Sequence, residues 1–157
     1  MPAHTYTHEA RSICVEEAQS VKASHLFFMD SDMMMPGDTL KKLLAHNKMI
    51  VGCSYNERRL PLVHTVKVKD ENGLKSVAST DLPKHLFKCY ALGMGCLLID
   101  MRVFDTIEKP WFFFSSFSDG RMDYGEDVWF CEQAHKAGID VWCDPTFQPR
   151  HIGEFAY

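Results

Sequence analysis

The residues in this chain best placed to do chemistry are an acidic pair at the end of an apolar run. His25-Leu26-Phe27-Phe28-Met29 leads into Asp30-Ser31-Asp32. One intervening residue lets both carboxylates serve one site, because in an extended chain the middle side chain points the other way. A strand that delivers Asp-x-Asp to its carboxyl end places acceptor oxygens where open α/β sheets bind ligands. That position suits a divalent cation and a diphosphate that the cation neutralises. In this reading Asp32 binds the cation and Asp30 accepts from a hydroxyl. The alternative is a solvated turn that caps the next helix.

Gly125-Glu126-Asp127 and His151 are the other candidates. Glu126 and Asp127 stand where a helix should begin, and carboxylates there stabilise its dipole without any catalysis. In the functional reading one is a general base and the other an orienting acceptor. Neighbouring helical side chains diverge by about 100°, so the two should do different jobs. Gly125 before them permits close backbone approach. His151 follows a proline-rich turn, and an Asp-x-Asp site lacks a third protein ligand. A neutral imidazole beside a carboxylate suits Mn²⁺ better than Mg²⁺. His4, His8, His25, His46, His64, His85 and His135 show no metal-ligand spacing.

Gly93-Met94-Gly95 precedes its strand, whereas a dinucleotide fingerprint follows one. The segment, Gly95 included, could let a bound sugar or a neighbouring backbone come close, and a packing role suits it at least as well. Trp129, beside the acidic pair, is a better candidate for stacking on a ligand than the run at 111–114, though core burial is the leading reading for it. Trp111-Phe112-Phe113-Phe114 reads as core or subunit contact. Arg58 and Arg59 could touch phosphate, with a solvated loop as the default reading.

The elements that must position these residues alternate between helix and strand. Ala10, Ile13, Cys14, Ala18 and Val21 recur at helical spacing, with Arg11, Glu16, Glu17 and Lys22 on the surface. Leu26 to Met29 reads as a short buried strand. Asp38 or Thr39 can cap a helix with Leu40, Leu43 and Leu44 as its stripe. Met49 to Cys53 is a strand buried on both faces. Tyr55 to Leu62 is a loop, and Val63 to Lys69 with Leu74 to Ser79 forms a hairpin around Asp70-Glu71-Asn72-Gly73. Ala91 to Ile99 approaches a buried strand, and Arg102 to Ile107 is a short helix. Glu126 to Ala137 is a helix with Val128, Cys131 and Ala134 inward and Gly138 as its stop. Asp140 to Cys143 is the last strand. The fold class is α/β with a mixed sheet and one β-hairpin.

With 157 residues, a single domain spanning 1–157 is expected. A formal net charge of -4 and no Lys/Arg stripe argue against nucleic acid. The six cysteines form no CxxC pair and lie mostly in apolar runs, and the first residues are polar rather than a signal peptide. Reduced, mostly buried thiols in a cytoplasmic protein are expected. No apolar stretch approaches membrane-spanning length.

The order of these motifs resembles the GT-A-fold glycosyltransferases of the family 2 type, particularly short phage and bacterial members. The string runs Asp30-Ser31-Asp32, Gly93-Met94-Gly95-Cys96-Leu97-Leu98-Ile99, Gly125-Glu126-Asp127-Val128-Trp129-Phe130-Cys131, Asp144-Pro145 and His151-Ile152-Gly153. It covers roughly Arg11 to Gly153. The resemblance implies sugar transfer from a nucleotide diphosphate sugar to an acceptor hydroxyl, with Mn²⁺ or Mg²⁺ bridging the diphosphate. By that resemblance Asp32 and His151 hold the metal, and Asp30 lies toward the ribose. Asp127 is the base of an inverting reaction, and Glu126 helps hold donor sugar or acceptor. Glu9-Ala10-Arg11-Ser12 stands where relatives often have Ala-Arg-Asn, which places Arg11 near the nucleotide.

Relatives usually begin with a strand, a helix and a second strand that build the base pocket, and this chain starts almost at Arg11. A shortened nucleotide-binding region is expected, and an exposed edge strand with an uncovered apolar face would favour a homodimer. Two rival readings stand beside this one. A non-catalytic GT-A remnant could act as a sugar-binding or assembly subunit. Phe27 to Asp38 also looks like a phosphoacceptor receiver domain, with Asp30 as the phosphosite.

Overall fold

A computed structural model describes residues 6–57, 62–116 and 122–152, the side chains of 122 and 123 excepted. Its helices are α1 (Thr7–Ser20), α2 (Thr39–Ala45), α3 (Arg102–Thr106) and α4 (Glu126–Lys136). Its strands are β1 (His25–Met29), β2 (Met33–Met34), β3 (Ile50–Gly52), β4 (Val63–Asp70), β5 (Gly73–Ala78) and β6 (Phe87–Cys89). They continue with β7 (Cys96–Asp100), β8 (Ser115–Ser116), β9 (Met122–Tyr124), β10 (Val141–Cys143) and β11 (Arg150–His151).

The main sheet has the order β1-β7-β3-β10-β6. β7 runs antiparallel to both β1 and β3, β10 is parallel to β3, and β6 is antiparallel to β10. The carboxyl ends of β1, β3 and β10 therefore share one edge of the sheet with the amino end of β7. Strand alternation sends Ile50, Leu97, Ile99 and Val141 to one face and Val51, Cys96 and Leu98 to the other. The first face packs on α1, α3 and α4 through Val15, Phe104, Val128, Phe130 and Ala134, and the second on Leu43 of α2 and Phe147. This is an α/β protein with a mixed sheet flanked by helices. Among the described residues no helix is long and apolar enough to cross a membrane.

Several elements lie where periodicity puts them. The hairpin β4–β5 forms around the expected turn, with Asp70 opposite Gly73. Gly138 takes φ +76° and ends α4, a conformation that a Cβ would strain. Trp111 and Phe112 are core, and Phe112 stacks on Phe130 at 5.3 Å, while Phe113 is exposed. All six cysteines are free thiols.

The sequence misjudges which faces are covered. α1 buries Arg11, Val15 and Ala18 and leaves Ile13, Cys14 and Val21 exposed, so its inward face is rotated from the expected stripe. The reason is ionic: the carboxylates of Asp30 and Glu126 hold Arg11. On α2 only Leu43 of the three leucines is buried, because α2 is short and touches the sheet along one line. Asp38 sits at its N-cap position without a side-chain capping bond. The β1 run, expected to be buried, is an edge strand in which only Phe28 is buried. The short strands β2, β6, β8, β9 and β11 have too few residues to carry a period.

Candidate functional site

The shared edge of the sheet holds a cavity of about 340 Å³ lined by Arg11, Asp30, Asp32, Tyr55, Glu57, Thr65, Gly93, Met94, Glu126, Asp127 and His151. Ligand crevices in open α/β sheets lie at this edge. Residues from 11 to 151 meet here: some follow the carboxyl ends of strands, Glu126 and Asp127 open α4, Arg11 reaches in from α1, and the β2–β11 ladder brings in His151.

Asp30 and Asp32 stand in a turn closed by Met33 N–H donating to Asp30 O at 3.1 Å. β2 then pairs with β11 in a register that sets Met33 opposite His151. Ile152 N–H donates to Asp32 O at 2.7 Å. This ladder holds His151 Nε2 3.5 Å from Asp32 Oδ2. Tyr55 packs edge-on to the imidazole at 5.5 Å, and Nδ1 lies 3.3 Å from Asn56 O. A carbonyl only accepts, so Nδ1 carries the proton in that bond and Nε2 faces the carboxylate. Metal-binding histidines commonly donate their other N–H in this way.

Two donors about 2.1 Å from one ion and about 110° apart are roughly 3.5 Å from each other, which suits an Asp–His pair on Mn²⁺. Among the described residues no group of three or more His, Cys, Asp or Glu side chains could hold a metal alone. The pair therefore fits a cation whose remaining ligands are waters and substrate phosphate oxygens, the usual arrangement for Mg²⁺-type sites. Asp30 has its Oδ1 engaged by Arg11, which leaves only Oδ2 to face a ligand.

Arg11 makes that engagement. Its Nη2 lies 3.1 Å from Asp30 Oδ1 and its Nε 3.3 Å from Glu126 Oε1, with the guanidinium over Phe28. Expected on the surface and near a nucleotide, Arg11 is buried and joins β1 to the start of α4. Arginine's planar fork suits such a double contact.

Glu126 and Asp127 diverge as neighbours on a helix should. Glu126 turns to Arg11, while Asp127 Oδ1 accepts the Val128 N–H at 2.8 Å. Burial, and then the neighbouring Glu126 charge, raise Asp127 above the ordinary carboxylate range. A carboxylate raised in this way is a stronger proton acceptor, the property a general base needs.

Of the roles open to Gly93 and Gly95, close packing is the one the structure shows. The Tyr55 hydroxyl sits between them and accepts the Gly95 N–H at 2.9 Å. A Cβ on Gly93 would fall 2.5 Å from that oxygen, and one on Gly95 2.6 Å from it and 3.1 Å from Asp30 Oδ2. The close approach belongs to a phenol rather than a sugar, and Gly95 itself does not line the cavity. Trp129 is also absent from the lining. Its indole N–H donates to Pro110 O at 2.9 Å and its ring packs on Phe113, because it is two positions past Asp127 on the helix.

Tyr55, Glu57, Thr65 and Met94 line the cavity without having been foreseen. Tyr55 and Glu57 follow β3 as Asp30 and Asp32 follow β1, so the same rule applied to the second strand would have found them. Arg58 and Arg59 lie outside the described residues, as do His4 and Gly153. His46 lies away from the cavity and pairs with the buried Asp144 at 2.6 Å.

No protein-family model matches the chain. No curated protein matches it either. Among solved structures it is similar to A197 from STIV, with a TM-score of 0.64 and 17% identity over 96% of this chain and 69% of A197. At that identity the likeness shows the fold alone.

Proposed function

We propose that the chain is a metal-dependent glycosyltransferase of GT-A type, moving a sugar from a nucleotide diphosphate sugar to an acceptor hydroxyl. One observation carries the reading: Asp32 and His151, 119 positions apart in the sequence, lie 3.5 Å apart and line the same cavity as Asp127. The cavity also fits by charge. Asp30, Asp32, Glu57, Glu126 and Asp127 face it against Arg11, so a bare diphosphate is repelled and one carrying a cation is accepted.

In this account Asp32 and His151 hold Mn²⁺ or Mg²⁺. Once bound, that ion neutralises the charge developing on the departing diphosphate. Asp30, with Oδ1 fixed by Arg11, offers Oδ2 to a ribose hydroxyl. Asp127 takes the proton of the acceptor hydroxyl as its oxygen bonds to the anomeric carbon and the bond from that carbon to the diphosphate breaks. Arg11 keeps Glu126 and Asp30 in place throughout. The phosphoacceptor alternative draws no support from this site, where Asp30 is committed to Arg11.

The test is release of UDP or GDP from a panel of nucleotide sugars, with and without Mn²⁺. Turnover should require the cation, and Asp127→Asn should slow it by about 100-fold or more while nucleotide binding persists. Unchanged turnover in Asp127→Asn contradicts the assignment. Binding without any turnover supports a non-catalytic protein of the same fold.

A further inference from the structure

Asp127 lines two cavities. The second has a volume of about 390 Å³ and is walled in part by the β4–β5 hairpin. Its walls include Lys67, Leu74 and Ser76 of the hairpin and Tyr124, Asp127 and Val128 around the start of α4. Lys67 stands at the border between the two. Its Nζ bonds Ser76 Oγ at 3.2 Å and lies 3.9 Å from Glu57 Oε1, which faces the first cavity.

The two spaces differ in charge. The first carries five carboxylates against one arginine, whereas in the second Lys67 balances Asp127. An anionic donor with its cation belongs in the first. The second offers an ammonium, a carboxylate and the hydroxyls of Ser76 and Tyr124, with Leu74 and Val128 as apolar surface. That mixture matches a neutral sugar ring, which has hydroxyls around its rim and C–H faces. The volume is within the range of small-molecule sites.

We propose that this second cavity is the acceptor site, that it takes a neutral sugar, and that the β4–β5 hairpin selects that sugar. The proposal rests on the transferase reading and adds to it the acceptor's class and place. The hairpin is fixed for this task. Lys67 N–H donates to Ala91 O at 2.8 Å and Thr65 N–H to Tyr55 O at 2.9 Å, so β4 is tied to the loops that build the first cavity. A sugar in the second cavity has in its wall Asp127, the carboxylate shared with the first.

The experiment follows amide resonances of the ¹⁵N-labelled chain. Mg²⁺ with UDP or GDP is one probe, and the methyl glycosides of glucose, galactose, mannose and N-acetylglucosamine are the other. With Mg²⁺ and nucleotide present, at least one glycoside should shift Ser76, Val128 and Gly125 with a Kd on the order of millimolar. Ser76→Trp, which fills the cavity, should abolish those shifts, and the gentler Ser76→Gln should weaken binding about tenfold. No shift with any glycoside at about 50 mM, or shifts that persist in Ser76→Trp, overturns the proposal. Shifts centred on Asp32 and His151 instead also overturn it. The nucleotide probe separates the two claims. Glycoside shifts without any nucleotide effect on Asp32 or Gly95 leave a sugar site and remove the donor reading, while the reverse pattern removes the acceptor site alone.

Discussion

Replacing Arg11 with Met keeps an unbranched apolar stem and removes the guanidinium that lies over Phe28 and joins Asp30 to Glu126. Breaking a fully buried ion pair from one side costs about 3–5 kcal/mol, and a single charge-assisted hydrogen bond contributes about 1.5–3 kcal/mol. The two carboxylates are not equally placed. The Asp30 side chain is 37% exposed and can rehydrate, so its loss must be discounted for solvent. The Glu126 side chain is 14% exposed and cannot easily do so. The deficit at Glu126 dominates, giving an expected destabilisation of about 2–3 kcal/mol. For a chain of this size that lowers Tm by roughly 4–12 °C. Thermal melts of Arg11→Met, Glu126→Gln and the double variant form a cycle, and their coupling should be about 1 kcal/mol or more. A Tm for Arg11→Met within about 1 °C of the parent, or additive single effects, would show that Arg11 does not tie β1 to α4.

Asp127→Asn should raise Tm at neutral pH while removing turnover. Asp127 is raised in the fold by burial and by Glu126, so the folded state holds its proton more tightly than the unfolded one, and parental stability falls as pH climbs through that raised value. Melts across pH should show the gap closing as pH drops, and the acid limb of the rate profile should lie above the ordinary carboxylate range. Gly95→Ala should cost about 1–3 kcal/mol in chemical denaturation, because its Cβ would strike the Tyr55 phenol and crowd Asp30. His46→Ala should cost about 2 kcal/mol in the same measurement by leaving the buried Asp144 without its 2.6 Å partner. Burial works to raise Asp144, but the Thr146 hydroxyl and the His46 ring outweigh it and hold it below the usual range. The stability it contributes is present at neutral pH and lost as pH falls through its lowered value, and that acid loss should be shallower in His46→Ala.

The fold was legible where period and punctuation agree. α4 shows this best: apolar positions at spacings of three, acids in its first turn and a positive-φ glycine at its end all point one way. The β4–β5 hairpin was readable from its turn residues. α1 was misread because its stripe of Ile13, Cys14 and Val21 is solvent-facing, and the inward position is an arginine whose partners are 19 and 115 residues away. Hydrophobic periodicity carries no information about such pairs. The site was legible as residue types. Six of the eight residues singled out (Arg11, Asp30, Asp32, Glu126, Asp127 and His151) line one cavity. Tyr55 was not, because it carries no acidic motif after its strand and its role depends on glycines some 40 positions later. Trp129 looked close to the acids in sequence, yet helical rotation takes it away from them.

The central claim is that Asp32 and His151 hold a cation that in turn holds a nucleotide diphosphate. Its most direct test is calorimetric titration of the chain with UDP and GDP, with and without Mn²⁺, in the parent and in Asp32→Ala. The account predicts binding that needs Mn²⁺, falls by about tenfold or more in Asp32→Ala, and falls likewise in His151→Ala. Nucleotide binding that is equally strong without the metal, or unchanged in Asp32→Ala, would contradict it.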